Sequence, residues 1–306
     1  MQAMILAAGL GTRLRPYTLF RPKPLFPVLN RPLLLILLDM LRRAGCSHIV
    51  VNAHHLAARI GEAIADMPDV RFQYESEVLG TGGGLRLALS EFTEEPVLVM
   101  NGDIFHTVDL AALSRYHAQC GNSITMAMHD YPRFNTVRVR EDRVLTFRPD
   151  MVVPGRDLLA FTGIHVVSPE VIRQIPSRRF HHIIDLYEEL VQRGEKIGIF
   201  RVDGCFWRDM GTPQDYLDLH GELLGGGIRQ SLLPLPRLRG NWLVDDQAVL
   251  AAGLELADWG CVGKAVIGRD VKLRRCVVWD GARIPAGSRL ENVIVTPPPA
   301  VMASDK

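Results

Sequence analysis

The residues best suited to chemistry lie near the amino terminus, where a short apolar strand runs into a glycine-rich turn in MILAAGLGTRLRPYTLFRPKPLFPV. Gly9 and Gly11 carry no side chain, so their backbone N–H groups can approach an anion closely. Arg13 follows at once, and Lys23 lies between two prolines. Planar Arg13 can hold two phosphate oxygens together, whereas Lys23 would act as a compact point charge. The segment therefore predicts a loop that binds a polyphosphate.

Two common phosphate-binding motifs do not fit this loop. GLGTRL lacks the third glycine of the dinucleotide fingerprint, and no Lys-Ser or Lys-Thr pair closes a Walker loop. A structural β-turn with unrelated surface charges is the alternative interpretation. The whole string G-x-G-T-R-L-x-P, followed by P-K-P, resembles the sugar-1-phosphate nucleotidyltransferases, which join an NTP to a sugar phosphate. The resemblance implies that residues Ala8, Gly9, Gly11, Thr12 and Arg13 bind the nucleotide and that Arg13 and Lys23 are catalytic.

Composition narrows the classes of partner. The 306 residues carry 35 basic and 34 acidic side chains, a net charge of +1, which argues against a nucleic-acid groove or a membrane-surface patch. Five cysteines without a C-x-x-C pair indicate neither a disulfide framework nor a zinc site. The most apolar segment, PLLLILLDMLRRAG, is interrupted by Asp39 and two arginines and is too short to span a membrane. We therefore predict a cytoplasmic globular protein.

The elements that must position the loop alternate between strand and helix. Strands are predicted at 48–53, 70–76 and 96–103, with helices at about 55–66 and 83–90. This alternation predicts an α/β fold, a Rossmann-like and mostly parallel sheet with helices on both faces. Ligands of such sheets bind beyond the carboxyl ends of the strands, where both the loop and Asp103 fall.

The pattern changes near Gly225, where a Pro-rich and Arg-rich stretch reads as a linker. We expect a catalytic domain over 1–225, then a linker and short module over 226–306. The module resembles hexapeptide repeats of a left-handed β-helix, and a meander of ordinary strands is the alternative. Being short, it would cap the first domain or pair with a neighbouring chain as a homo-oligomer. The repeat rests on steps of 6, 11 and 6 residues between Ile267, Leu273, Ile284 and Leu290.

Two aspartates complete the candidate catalytic set. Asp103 ends a strand within NGD, and Asp209 lies in FWRDMGTPQDYL. Taken alone, each is most simply a turn or helix-cap residue. The family resemblance implies instead that Asp103 and Asp209 together bind Mg²⁺, whose preference for hard oxygens suits carboxylates and phosphates.

A second glycine run, LGTGGGLRLAL, matches the place where the family seats the nucleoside. The resemblance implies nucleoside contacts for Gly80, Thr81, Gly82 and Gly83. The alternative is a helix N-terminal turn that needs room for close packing, and both can hold together. Glu75 or Glu77 could accept hydrogen bonds from guanine, but uracil also offers a donor, so UTP and GTP both stay open.

The residues expected to bind the sugar-1-phosphate depart from the family pattern. Relatives carry Glu-Lys-Pro where this chain has Phe147, Arg148 and Pro149, and Arg148 could replace the lysine that binds the sugar phosphate. Asn135 either contacts a sugar hydroxyl or forms a turn. Thr162 and Gly163 match the strand that passes the acceptor sugar, so the resemblance implies that they line its site.

The resemblance implies a direct reaction in which a sugar-1-phosphate attacks an NTP and pyrophosphate leaves. TGGG and NGD look like N-acetylmuramate-1-phosphate uridylyltransferases, whereas VVWDGARIPAGSRLEN resembles the tail of mannose-1-phosphate guanylyltransferases. The altered sugar motif motivates an alternative, a catalytically silent regulatory subunit that binds nucleotide sugars. Fold alone does not decide between them, because function depends on the site.

Overall fold

The computed structural model describes residues 1–148, 157–225 and 238–298. The α-helices in these ranges are α1 Leu33–Arg43, α2 Ala57–Ile64, α3 Gly80–Leu87, α4 Leu110–Cys120, α5 Pro169–Ile172, α6 Ile183–Gln192 and α7 Pro213–Leu224. The strands are β1 Gln2–Leu6, β2 Pro27–Val28, β3 Arg31–Pro32, β4 His48–Ala53, β5 Val70–Tyr74, β6 Val97–Asn101, β7 Ile104–His106, β8 Ile124–His129, β9 Val137–Arg140, β10 Arg143–Thr146, β11 Asp157–Val167, β12 Gly198–Arg201, β13 Trp207–Asp209, β14 Leu238–Arg239, β15 Trp242–Val244, β16 Val249–Leu250, β17 Glu255–Val262, β18 Val266–Ile267, β19 Lys272–Val278, β20 Arg283–Ile284, β21 Arg289–Glu291 and β22 Ile294–Val295.

The chain divides into two compact units. The first unit contains Met1–Leu10, Pro22–Pro24 and Leu34–Trp207, and the second contains Gly11–Arg21, Leu25–Leu33 and Arg208–Lys306. The predicted boundary near Gly225 stays a prediction, and the predicted linker over 226–237 lies outside the described residues. None of the helices in the described ranges combines the length and apolar character that a membrane crossing requires.

A nine-stranded mixed sheet forms the first unit, in the order β5-β4-β1-β6-β11-β8-β12-β10-β9. Strand β1 is parallel to β4 and β6, but β11 is antiparallel to both β6 and β8. The predicted α/β fold is confirmed, whereas the expectation of a mostly parallel sheet is wrong. The alternation of strands and helices ends after β6, and the hairpin of β9 and β10 introduces antiparallel pairing that the earlier pattern does not reveal.

Strand β1 is an interior strand of this sheet, paired with β4 on one side and β6 on the other, which explains its composition. Ala3, Met4 and Ile5 are fully buried. A strand covered on both faces reads as a continuous apolar run, and this one leads directly into the glycine-rich loop, residues 8–13. The end of this buried interior strand therefore fixes where the loop begins.

Parallel ladders of short strands make up the carboxyl-terminal part of the second unit. Strands β15, β17, β19 and β21 form one ladder, and β16, β18 and β20 form another. Leu273 pairs with Leu290, and Ile267 pairs with Ile284, so each of these two pairings advances by 17 residues. These four apolar positions are the ones whose steps the sequence singles out. The strand-rich module is thus present, while its assignment to a left-handed β-helix stays a prediction.

An aromatic cluster joins α7 to the amino-terminal segment and the ladder of the second unit. The Tyr216 hydroxyl donates to the Pro27 carbonyl and accepts from the Trp279 indole N–H at 3.1 Å. Burial raises the pKa of Tyr216 well above its ordinary value, so the phenol remains a donor. Phe26 packs edge-on against Trp279, with ring centroids 4.8 Å apart. These contacts build Leu25–Leu33 and the ladder into one core.

Candidate active site

The glycine-rich loop is held by its own backbone. Gly11 adopts the left-handed conformation, with φ 61° and ψ 31°. Its carbonyl accepts hydrogen bonds from the Leu14 N–H and the Thr18 hydroxyl, each at 3.0 Å. An added Cβ at Gly9 would meet no protein atom within 4 Å, so a requirement for glycine there would come from a ligand and not from packing. This geometry is compatible with an anion approaching the backbone.

A lysine and an aspartate form the first charged pair of the site. Asp103 lies in the turn between β6 and β7, and the preceding Gly102 donates its N–H to the Leu6 carbonyl at 2.8 Å. This contact holds the turn against the end of β1. The Lys23 Nζ atom lies 2.6 Å from Asp103 Oδ2, and the lysine side chain is only 8% exposed. The structure thus brings together two of the predicted catalytic residues as a close ion pair.

An arginine and an aspartate form a second pair, within the second unit. Arg13 Nη2 lies 3.9 Å from Asp209 Oδ2, and the two side chains are 67% and 15% exposed. A Cβ at Gly211 would lie 2.6 Å from that carboxylate oxygen and 3.0 Å from Arg13 Nη1. Thr212 caps α7 by accepting from the Asp215 N–H at 3.1 Å. The glycine makes room for the pair, and the threonine begins the helix.

The second glycine run packs tightly against the loop that leads into α6. Gly80 has φ +74°, and a Cβ there would lie 2.7 Å from the His181 carbonyl oxygen. That same carbonyl accepts from the N–H groups of Gly82 and Gly83 at 2.8 and 3.2 Å. The Thr81 hydroxyl accepts from the first N–H of α6 at 3.0 Å. Close packing therefore accounts for these residues, and their nucleoside contacts stay predictions.

A carboxylate that the sequence did not indicate lies beside the sugar-phosphate candidate Arg148. Glu188 on α6 accepts from the Phe147 N–H at 2.8 Å and from the Thr146 hydroxyl at 3.1 Å. Arg148 Nε lies 3.5 Å from this carboxylate, and the arginine is 60% exposed. No local signal could reveal the contact, because Glu188 belongs to an element far along the chain.

The other sugar-side candidates are engaged within the protein. The buried Thr162 hydroxyl donates to the Ala127 carbonyl at 2.8 Å. Gly163 has φ +77°, a conformation that favours glycine. The Asn135 amide donates to the Asp130 carboxylate at 2.7 Å, so it builds a turn, as one of the two interpretations expects. The sugar contacts of Asn135, Thr162 and Gly163 stay predictions.

The donor chemistry of the two aspartates fits a hard cation. Among the described residues, no group of three or more His, Cys, Asp or Glu side chains could hold a metal ion. Carboxylate oxygens are hard ligands of the kind that Mg²⁺ prefers, and Mg²⁺ commonly takes its remaining ligands from phosphate and water. Both carboxylates already lie beside a positive side chain.

The family model described as Nucleotidyl transferase matches residues 2–225, and the chain belongs to this family. The resemblance of the loop to the sugar-1-phosphate nucleotidyltransferases is thereby confirmed.

Two curated relatives span nearly the whole chain. The mannose-1-phosphate guanylyltransferase of Mycobacterium tuberculosis is 32% identical over 304 residues, which cover 95% of this chain and 83% of that protein. The UTP–glucose-1-phosphate uridylyltransferase of Synechocystis is 28% identical and covers 96% and 87%. HddC from Yersinia pseudotuberculosis, solved in complex with GMP-PN, has a TM-score of 0.58 at 23% identity and covers 71% of this chain and 97% of its own. That likeness shows a shared fold.

Proposed function

We propose that the protein transfers a nucleotidyl group from an NTP to a sugar-1-phosphate and releases pyrophosphate. A phosphate oxygen of the sugar would form a bond to the α-phosphorus while the bond to the leaving pyrophosphate oxygen breaks on the opposite side. The observation that carries the proposal is the Lys23–Asp103 pair, 2.6 Å apart, at the end of β6. Such a transfer needs positioning and charge neutralisation and no protein nucleophile.

Each cation would act according to its geometry. The fork of Arg13 would hold two oxygens of the triphosphate, and Lys23 would place a compact charge beside the reacting phosphates. The Gly11 and Thr12 N–H groups would donate to the same anion. Asp103 and Asp209 would hold Mg²⁺, which when bound would supply further neutralisation of the pyrophosphate charge.

GTP and mannose-1-phosphate are the substrate pair that we favour. Support comes from guanylyltransferase relatives in Mycobacterium tuberculosis and Danio rerio, which align over 95% and 96% of the chain. The Synechocystis relative makes UTP with glucose-1-phosphate the second pair to test.

We also infer that the parallel ladders of the carboxyl-terminal module are coils of a left-handed β-helix, through which two copies could associate.

The decisive experiment measures pyrophosphate release with and without Mg²⁺. UTP, GTP, CTP, ATP and dTTP are crossed with the 1-phosphates of mannose, glucose, N-acetylglucosamine and N-acetylmuramate. One strongly preferred pair, abolished by EDTA and restored by Mg²⁺, would establish the transferase. Retained NTP binding with no release across the panel would contradict it and favour the regulatory subunit.

A further inference from the structure

A buried chain of hydrogen bonds connects the start of the glycine-rich loop to the start of α3, within the first unit. The Ala7 N–H donates to Asn52 Oδ1 at 2.7 Å, and the Asn52 amide donates to Glu75 Oε1 at 2.6 Å. The other carboxylate oxygen, Glu75 Oε2, accepts from the Leu79 N–H at 3.2 Å. Asn52 and Glu75 are each 1% exposed. Two segments that are predicted to bind nucleotide are thus joined through two buried side chains.

The direction of each hydrogen bond is fixed by chemistry. The backbone N–H of Ala7 can only donate, so Asn52 must turn its oxygen towards it and its NH₂ group towards Glu75. The N–H of Leu79 can also only donate, so both Glu75 oxygens must accept. A carboxylate meets this demand, whereas a glutamine would set one donor against another. A Cβ at Gly84 would lie 2.5 Å from Glu75 Oε1, so the last glycine of the run makes room for the link.

We propose that Asn52 and Glu75 are positioning residues that hold these two segments in register for the NTP. This inference rests on the proposed function. It gives Glu75 a different role from the base-reading acceptor expected from the sequence, because both of its oxygens are engaged and its side chain is buried. Glu77, the other candidate acceptor, is exposed.

The test uses two single variants and their combination in the full chain. Glu75→Gln sets two NH₂ groups face to face, and Asn52→Asp sets two carboxylates face to face. Each should raise the KM for the NTP by about tenfold or more, because a buried polar group loses its partner. The KM for the sugar-1-phosphate should not change. The same nucleotide panel is run on Glu62→Gln, an exposed carboxylate of α2 outside the candidate site, which should match the wild type.

The combined variant provides the sharpest readout. With both changes, the new carboxylate at position 52 accepts from the Ala7 N–H and from the new amide at position 75, whose oxygen accepts from the Leu79 N–H. All three hydrogen bonds return with the middle one reversed, so the KM for the NTP should recover towards the wild-type value. A combined variant as impaired as the singles would overturn the proposal. So would a Glu75→Gln variant that changes the ranking of GTP and UTP without such a rescue.

Hydrogen–deuterium exchange separates this inference from the proposed function. Exchange at the Ala7 and Leu79 amides should be faster in both single variants and return to the wild-type rate in the combined variant. A wild-type protein that turns over no substrate pair would defeat the proposed function. The exchange pattern would then still support the link between the two segments, and unchanged exchange in the single variants would overturn it.

Discussion

The two charged pairs of the site are built in opposite ways. In the first unit, the Lys23 side chain is 8% exposed, and its carboxylate partner Asp103, 2.6 Å away, is 37% exposed. In the second unit the exposures are reversed: the cation Arg13 is 67% exposed, and Asp209 is 15% exposed. The two charged groups lie 3.9 Å apart. A buried ammonium depends on its partner, whereas an exposed guanidinium at this distance gains little from its own. We infer that Lys23 is a fixed charge and that Arg13 can turn towards an arriving phosphate.

The largest effect should come from breaking the Lys23–Asp103 pair. Lys23→Ala should reduce kcat by about a hundredfold or more, because it removes a preorganised charge from the reacting phosphates. Asp103→Asn should have a comparable effect, since it removes the charge of the carboxylate that lies 2.6 Å from the lysine. Pyrophosphate release measures the loss, and circular dichroism checks that the fold is retained.

The matched control for this prediction is Lys196→Ala. Lys196 also pairs with an aspartate, Asp142, at 2.5 Å, but the lysine is 46% exposed. This variant should keep full activity. Near-normal turnover by Lys23→Ala would contradict the role assigned to the Lys23–Asp103 pair.

A tenfold effect on the KM for the NTP is expected when Arg13 is replaced by a different cation. Arg13→Lys retains a cation but loses the planar fork, so the KM for the NTP should rise by about tenfold. Arg15→Lys, two residues away and also exposed, is the control and should leave the KM unchanged. Equal KM values for Arg13→Lys and the wild type would show that charge alone matters at this position.

The parts of the site that follow buried strands could be predicted from the sequence. The glycine-rich loop and Asp103 both follow strands whose buried runs can be read locally, and the structure places them at the ends of β1 and β6. The family resemblance brought Asp103 and Asp209 together as candidates, which turn chemistry alone could not do. In the carboxyl-terminal module, the apolar positions that the sequence singles out pair between parallel strands, Ile267 with Ile284 and Leu273 with Leu290.

What the sequence could not reveal depends on contacts between distant residues. Glu188 lies beside Arg148 only because α6 packs there, and no local pattern marks it. Glu75 was a candidate base reader, yet burial and the partners of its oxygens place it in a structural link with Asn52. The direction of β11 in the sheet is also set by pairing and not by its own composition.

A smaller effect should follow from crowding the Arg13–Asp209 pair. Gly211→Ala places a Cβ 2.6 Å from Asp209 Oδ2 and 3.0 Å from Arg13 Nη1, so these groups must shift. We expect kcat/KM to fall about fivefold, which corresponds to roughly 1 kcal/mol of transition-state stabilisation. In the control Gly61→Ala, the Cβ would be 3.6 Å from Phe72, an ordinary contact, and activity should be retained. An unchanged kcat/KM in Gly211→Ala would mean that the spacing of the pair is unimportant.

The smallest effect should come from a third pair, Arg148 and Glu188, which resembles the second in having an exposed arginine and a partly buried carboxylate. Glu188→Gln removes the charge that orients Arg148, so the KM for the sugar-1-phosphate should change by about two- to threefold, consistent with the modest energy of such pairs. The KM for the NTP should stay the same. Glu189→Gln is the control, because Glu189 is 55% exposed and pairs with Arg193 at 3.3 Å. A change confined to the KM for the NTP would place Arg148 in the nucleotide-binding site and remove it from the sugar-phosphate site.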